Sequence, residues 1–179
     1  MGKIISVWSC AKKTGKTVFL YMLAKQLSSL LDKDLKILLC CMNLSYGNLM
    51  RLFGINKEEL NLEDIVNFKM HPDNKVFDLV NAIAKYNNNY FIGSKKTNSA
   101  YADRNIAIYE NLLEELRQSF DLILIDTMSG SENPLTNMTI EKSDFVLNVI
   151  NQDKEILDSY PFITKKEIAF IVNMYRDKL

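Results

Sequence analysis

Ser9-Cys10-Ala11-Lys12-Lys13-Thr14-Gly15-Lys16-Thr17 follows a short apolar run, Ile4-Ile5-Ser6-Val7-Trp8, and leads into a long segment of apolar periodicity. A strand, a tight loop and a helix start form the context that a phosphate-binding loop needs. Backbone N–H groups of such a loop and of the first helical turn converge on one spot, and the helix dipole favours negative charge there. Lys12, Lys13, Thr14, Gly15, Lys16, Thr17 and Val18 are therefore the candidate nucleotide-binding residues of the loop, with Lys16, also the candidate catalytic lysine, reaching the outer phosphates and the Thr17 hydroxyl placed to ligate Mg²⁺. The bland alternative is a lysine-rich surface turn before an ordinary amphipathic helix. The loop is also unusual, because the pattern G-x-x-x-x-G-K-[ST] asks for glycine where Cys10 stands.

Outward from this loop, the chain reads as alternating strands and helices. Helix one is expected over Lys16 to Leu31, with Phe19, Met22, Leu23, Gln26, Leu27 and Leu30 on one buried face. Lys36 to Met42 is a continuous apolar run, the sign of a parallel strand covered on both faces. A short helix is expected around Leu49–Phe53. Asn61 reads as the N-cap of a helix over Leu62–Phe68, with Glu63 and Asp64 in its first turn. His71-Pro72-Asp73-Asn74 reads as a turn, Val76–Tyr86 as helix, Asn87-Asn88-Asn89 as a polar hinge, Tyr90–Gly93 as a strand and Ser94–Ala100 as an exposed loop. A helix over Asp103–Ser119 carries Tyr109, Leu112, Leu113 and Leu116 as its core stripe. Phe120 to Thr127 is a strand ending in an acid. Helix over Glu132–Glu141, strand over Phe145–Ile150, helix over Lys154–Tyr160 and strand over Ile168–Asn173 complete the pattern. Such alternation predicts an α/β fold, a mostly parallel sheet between two layers of helices, in one domain spanning residues 1–179.

The bulk numbers bound the function. The 179 residues are enough for one domain with a sizeable core, and 47% hydrophobic with 25% charged residues is ordinary for a globular protein. Twenty-two basic residues balance 22 acidic ones, so net charge gives no support for nucleic acid or an anionic membrane as partner. The three cysteines, Cys10, Cys40 and Cys41, point to reduced thiols and a cytoplasmic setting. The single histidine, His71, has no cysteine at ligand spacing, so a zinc-type centre is not expected. No secretory leader and no apolar run of spanning length is visible.

In an α/β domain ligands sit beyond the carboxyl ends of the strands. Asp126 ends an apolar strand far along the chain from Gly15, where a Mg²⁺-organising acid belongs, either directly or through water. A capping aspartate is the common alternative for an isolated strand-end acid.

At this point the chain resembles the MinD/ParA family of deviant Walker ATPases over nearly its whole length. Residues 9–17 stand where that family has K-G-G-x-G-K-T, and Leu38 to Leu49 is similar to its second strand and loop, D-x-D-L-G-x-x-N-L. Asp121 to Thr127 resembles its Walker B strand, Ser143 to Val149 its a-D-x-v-l-x-V strand, and Ile171-Val172-Asn173 the strand whose asparagine contacts the purine. The resemblance implies a P-loop NTPase fold and ATP with Mg²⁺ as cofactors. It also implies a nucleotide-dependent homodimer, a protein partner of unknown identity, and a role in partition or positioning. Pilus-localisation relatives (TadZ/CpaE-like) share atypical phosphate loops.

The departures shape the expectation. The family's signature lysine falls at Ala11, with Lys12 or Lys13 as candidate substitutes, and the two acids of the second motif fall at Cys41 and Asn43. Asparagine can hydrogen-bond a water but cannot take its proton, so Asn43 is a degenerate water-positioning residue. These losses fall on hydrolysis rather than binding, which retains Lys16, Thr17 and Asp126. The expected protein is an ATP-Mg²⁺-binding switch or scaffold with slow or absent ATPase activity. The alternatives are an interaction protein with a vestigial phosphate loop and, ranked last, a small-molecule ligase or kinase. The sequence stops soon after Asn173, where family members continue with further helices, and no membrane-anchoring amphipathic helix is expected.

Overall fold

A computed structural model describes residues 1–31, 34–44, 48–55, 61–70, 83–86, 89–95, 99–152 and 168–174. In chain order these form β1 (Lys3–Trp8), α1 (Lys16–Leu30), β2 (Ile37–Cys41), α2 (Leu49–Leu52), α3 (Leu62–Lys69), β3 (Ala84–Tyr86) and β4 (Asn89–Ile92). They continue as α4 (Ser99–Arg104), α5 (Ile106–Ser119), β5 (Leu122–Asp126), α6 (Pro134–Lys142), β6 (Phe145–Ile150) and β7 (Ile168–Val172). Among the described residues seven strands make one sheet in the order β3-β4-β2-β5-β1-β6-β7. Every pairing is parallel except β3 with β4.

The apolar runs explain this arrangement. All five residues of β2 are buried. Ile37, Leu39 and Cys41 face a core shared with Leu20 and Ala24 of α1. Leu38 and Cys40 face the opposite core, with Leu112, Leu113 and Leu116 of α5 and Leu135 of α6. The sheet therefore lies between two helical layers, and each leucine so buried contributes roughly 1.5–3 kcal/mol. The stripe Tyr109, Leu112, Leu113, Leu116 is fully buried, as its spacing predicts.

Four expectations are corrected. The buried stripe of α1 is Lys16, Leu20 and Ala24. Met22 and Leu30 are 60% and 77% exposed and Gln26 is exposed too, while Phe19, Leu23 and Leu27 are half-buried. The phosphate loop fixes the rotation of α1 at Lys16, and every fourth residue from there meets the sheet; apolar spacing alone could not supply that anchor. Ala84–Tyr86 is a strand, not the end of a helix, and the rest of the expected Val76–Tyr86 helix lies outside the described residues. Asn89 opens β4 rather than a hinge. The expected Asp103–Ser119 helix is two helices, starting at Ser99 inside the expected loop, and it breaks at Asn105, whose side-chain amide donates to the Tyr101 carbonyl at 2.9 Å. The His71 turn and the Lys154–Tyr160 helix lie outside the described residues, and no helix among the described residues is long and apolar enough to cross a membrane.

Two crossovers position the site. The chain leaves β1 through α1 towards β2, and leaves β5 through α6 in the opposite direction towards β6. Oppositely directed crossovers open a crevice at the strand carboxyl ends. The register sets Val7 and Cys41 level with Asp126 on either side of it.

Candidate functional site

Gly15 is the N-cap of α1 and has φ of +87°. A side chain there would be strained by the left-handed backbone, and a Cβ would lie 2.1 Å from the side-chain nitrogen of Asn173. Asn173, just past β7, donates that amide N–H to the Thr14 carbonyl at 2.8 Å. The last strand thus clamps the loop from outside, and only glycine leaves room for the clamp. Lys13 also has a left-handed backbone, φ +62°, without being glycine.

A cleft of about 560 Å³ opens over the loop, lined by Lys12, Lys13, Thr14, Gly15, Lys16, Thr17, Val18, Asn43, Asn48, Met128 and Ser129. Its volume falls within the ~300–1,000 Å³ usual for small-molecule sites. Thr17 donates its hydroxyl to Asp126 Oδ2 at 2.8 Å, and the other carboxylate oxygen, Oδ1, is buried without a partner. Lys16, only 7% exposed, donates to Ser129 Oγ at 2.6 Å. Burial lowers the Lys16 pKa, with Asp126 opposing that shift. Burial likewise pushes Asp126 up to about 6, against the pull of Lys16 and the Thr17 hydrogen bond.

The residues expected from the sequence are thus brought together, except that Asp126 lies beneath the cleft rather than on its wall and Asn173 touches the loop from outside. Asn43 lines the far wall, and its carbonyl accepts from Ser94 Oγ at 3.0 Å. Ser94 Oγ also lies 3.4 Å from Cys41 Sγ. Burial, then the neighbouring Asp126, pushes the Cys41 thiol up to about 12, so it stays protonated and neutral.

Sequence reasoning missed Ser129, Met128 and Asn48. The readable signal for Ser129 was its place three residues beyond the strand-ending Asp126 and just before Gly130, where the chain must turn back. Gly130 N–H donates to the Ser9 carbonyl at 3.0 Å, and Trp8 Nε1 donates to the Gly130 carbonyl at 3.0 Å. These two bonds tie the post-β5 loop to the phosphate loop and bring Ser129 to Lys16.

The residues fit a magnesium nucleotide. The unpartnered Asp126 Oδ1 suits a metal or its water, and Thr14 Oγ1, also buried without a partner, borders the cleft.

No family model and no curated protein matches the sequence. Solved structures do. The chain is similar to a plasmid partition protein from Borrelia burgdorferi at 23% identity, covering 100% of this chain and 82% of that one, with a TM-score of 0.76. It is similar to a ParA family ATPase from Chlorobium tepidum at 17% identity, covering 97% and 74%, with a TM-score of 0.74. The chain has the ParA/MinD fold. The septum site-determining protein MinD from Pyrococcus horikoshii, complexed with Mg-ADP, is also similar, at 22% identity, 96% and 70% coverage and a TM-score of 0.69. At these identities the likeness establishes the P-loop NTPase fold, with its mostly parallel sheet and flanking helices.

Proposed function

We propose that this chain is an ATP-Mg²⁺-binding switch or scaffold of the MinD/ParA type, with slow or absent hydrolysis, acting in the partition or positioning of a cellular assembly. The observation that carries the reading is the half-satisfied carboxylate of Asp126, held by Thr17 at the foot of the cleft beside the loop lysine. In this reading Lys16 leaves Ser129 for the outer phosphates while the N–H groups of Gly15, Lys16 and Thr17 receive phosphate oxygens. Thr17 and Asp126 would hold Mg²⁺, Asp126 through water; the metal, when bound, neutralises phosphate charge. Asn173, its amide N–H given to Thr14, keeps its side-chain oxygen for a purine amino group.

Hydrolysis is the weak part. A water near Asn43 meets a neutral amide, and the neighbouring Cys41 is a neutral thiol. Neither group takes a proton from that water at neutral pH. Residues 1–179 act as one nucleotide-binding domain in the cytoplasm, and ATP-Mg²⁺ promotes a homodimer that recruits a protein partner. Lys12 and Lys13 are candidates to replace the missing signature lysine. Their bulk at the cleft also supports the second reading, an interaction protein whose loop no longer admits nucleotide.

Light scattering with and without ATP-Mg²⁺, alongside phosphate release, tests the proposal. A doubled molar mass with slow phosphate release is the expected result. An unchanged mass at saturating nucleotide contradicts the switch. Turnover at the rate of an ordinary ATPase, abolished in Lys16→Ala, contradicts the slow-hydrolysis part.

A further inference from the structure

We infer that the cleft binds its polyphosphate chiefly through its own three lysines, so that affinity persists when the divalent cation is removed. The inference rests on the nucleotide-binding reading above and concerns how that same site neutralises charge.

Lys12, Lys13 and Lys16 all line the cleft, the first two exposed and the third buried. No carboxylate is among the described residues on its wall, and among the described residues neither Lys12 nor Lys13 is in an ion pair. The positions level with the missing acids, Cys41 and Asn43, add no negative charge. Asp126 beneath the cleft offsets Lys16, so the two exposed lysines, Lys12 and Lys13, supply the net positive charge that a bound polyphosphate meets before any metal arrives.

The Thr17 hydroxyl is already satisfied by Asp126 at 2.8 Å, so a metal-free complex strands no donor there. Thr14 Oγ1, buried and unpartnered in the same loop, is a donor ready for an anion. Lys13 lines the cleft from a left-handed backbone, φ +62°, a conformation that strains side chains other than glycine.

The test is a titration of ATP into the full chain in excess Mg²⁺ and again in excess EDTA, with inorganic tripolyphosphate as a second probe. Wild-type affinity in EDTA should stay within about fivefold of that in Mg²⁺, a difference of roughly 1 kcal/mol. Tripolyphosphate should compete with ATP in EDTA. Lys13→Gly should lose about tenfold in metal-free affinity while its melting temperature holds or rises. Lys13→Asn, which also tolerates the left-handed backbone, should lose the same affinity and so separates charge from loop flexibility. Tight binding in Mg²⁺ that vanishes in EDTA overturns the inference and leaves the nucleotide reading standing. Equal metal-free affinity in wild type and both variants also overturns it. No binding in either condition overturns both.

Discussion

The two banks of the cleft have opposite chemistry. On the bank formed by the loop and β5, donors and acceptors are paired to a purpose: Thr17 to Asp126, Lys16 to Ser129, Asn173 to Thr14. On the bank beyond the end of β2, the lining groups Asn43 and Asn48 are neutral, and the buried Cys41 that ends β2 is a protonated thiol. The first bank has what holding a phosphate requires, and the second lacks what activating a water requires. Binding and hydrolysis are separable because different strands carry them.

The comparison breaks most severely at Gly15. Gly15→Ala should lower ATP affinity by at least about thirtyfold, roughly 2 kcal/mol, because its Cβ would drive Asn173 off the loop and strain the backbone. Adding Asn173→Ala should recover part of that loss; no recovery would show that the clamp is irrelevant. The neutral bank is tested next, by restoring an acid. Asn43→Asp should raise single-turnover hydrolysis about tenfold or more, and an unchanged rate would mean that this wall does not meet the attacking water. Asn43 is the better choice than Cys41, where a carboxylate would be buried against Asp126.

The polar bank also predicts a pH dependence. Burial raises Asp126 from 3.8 to about 6, so the folded state holds this proton more tightly than the unfolded chain. The resulting stability is fully present below about pH 4 and is lost as pH rises through about 6. Without metal or nucleotide, Asp126→Asn should melt higher than wild type by a few degrees at about pH 8, and the gap should close near pH 4. A constant gap would remove the burial argument. The smallest effect belongs outside both banks. Met22→Gln should change stability by less than about 0.5 kcal/mol in a denaturant titration, since Met22 is exposed on the outer side of α1.

Much of this architecture was legible in the sequence, for physical reasons that differ by element. β2 and β5 are uninterrupted apolar runs, and only a strand covered on both faces needs one. The α5 stripe was readable because Tyr109, Leu112, Leu113 and Leu116 repeat at helical spacing beside charged neighbours. The face of α1 was not readable, because apolar residues occur all round it and the loop, not the periodicity, sets its rotation. The break at Asn105 depends on one side-chain hydrogen bond within a helical pattern. In the site, the loop and Asp126 followed from residue type and position after a strand. Ser129 and the seating of Asn173 on Thr14 depend on contacts between residues more than a hundred positions apart, and no local pattern encodes them.

The central claim is that the polar bank still holds nucleotide. Calorimetric titration of ATP-Mg²⁺ into the wild type and into Lys16→Ala tests it most directly. The account predicts saturable binding in the wild type and a loss of at least about a hundredfold, roughly 2.7 kcal/mol, in the variant. No heat in either protein, or the same affinity in both, would contradict it.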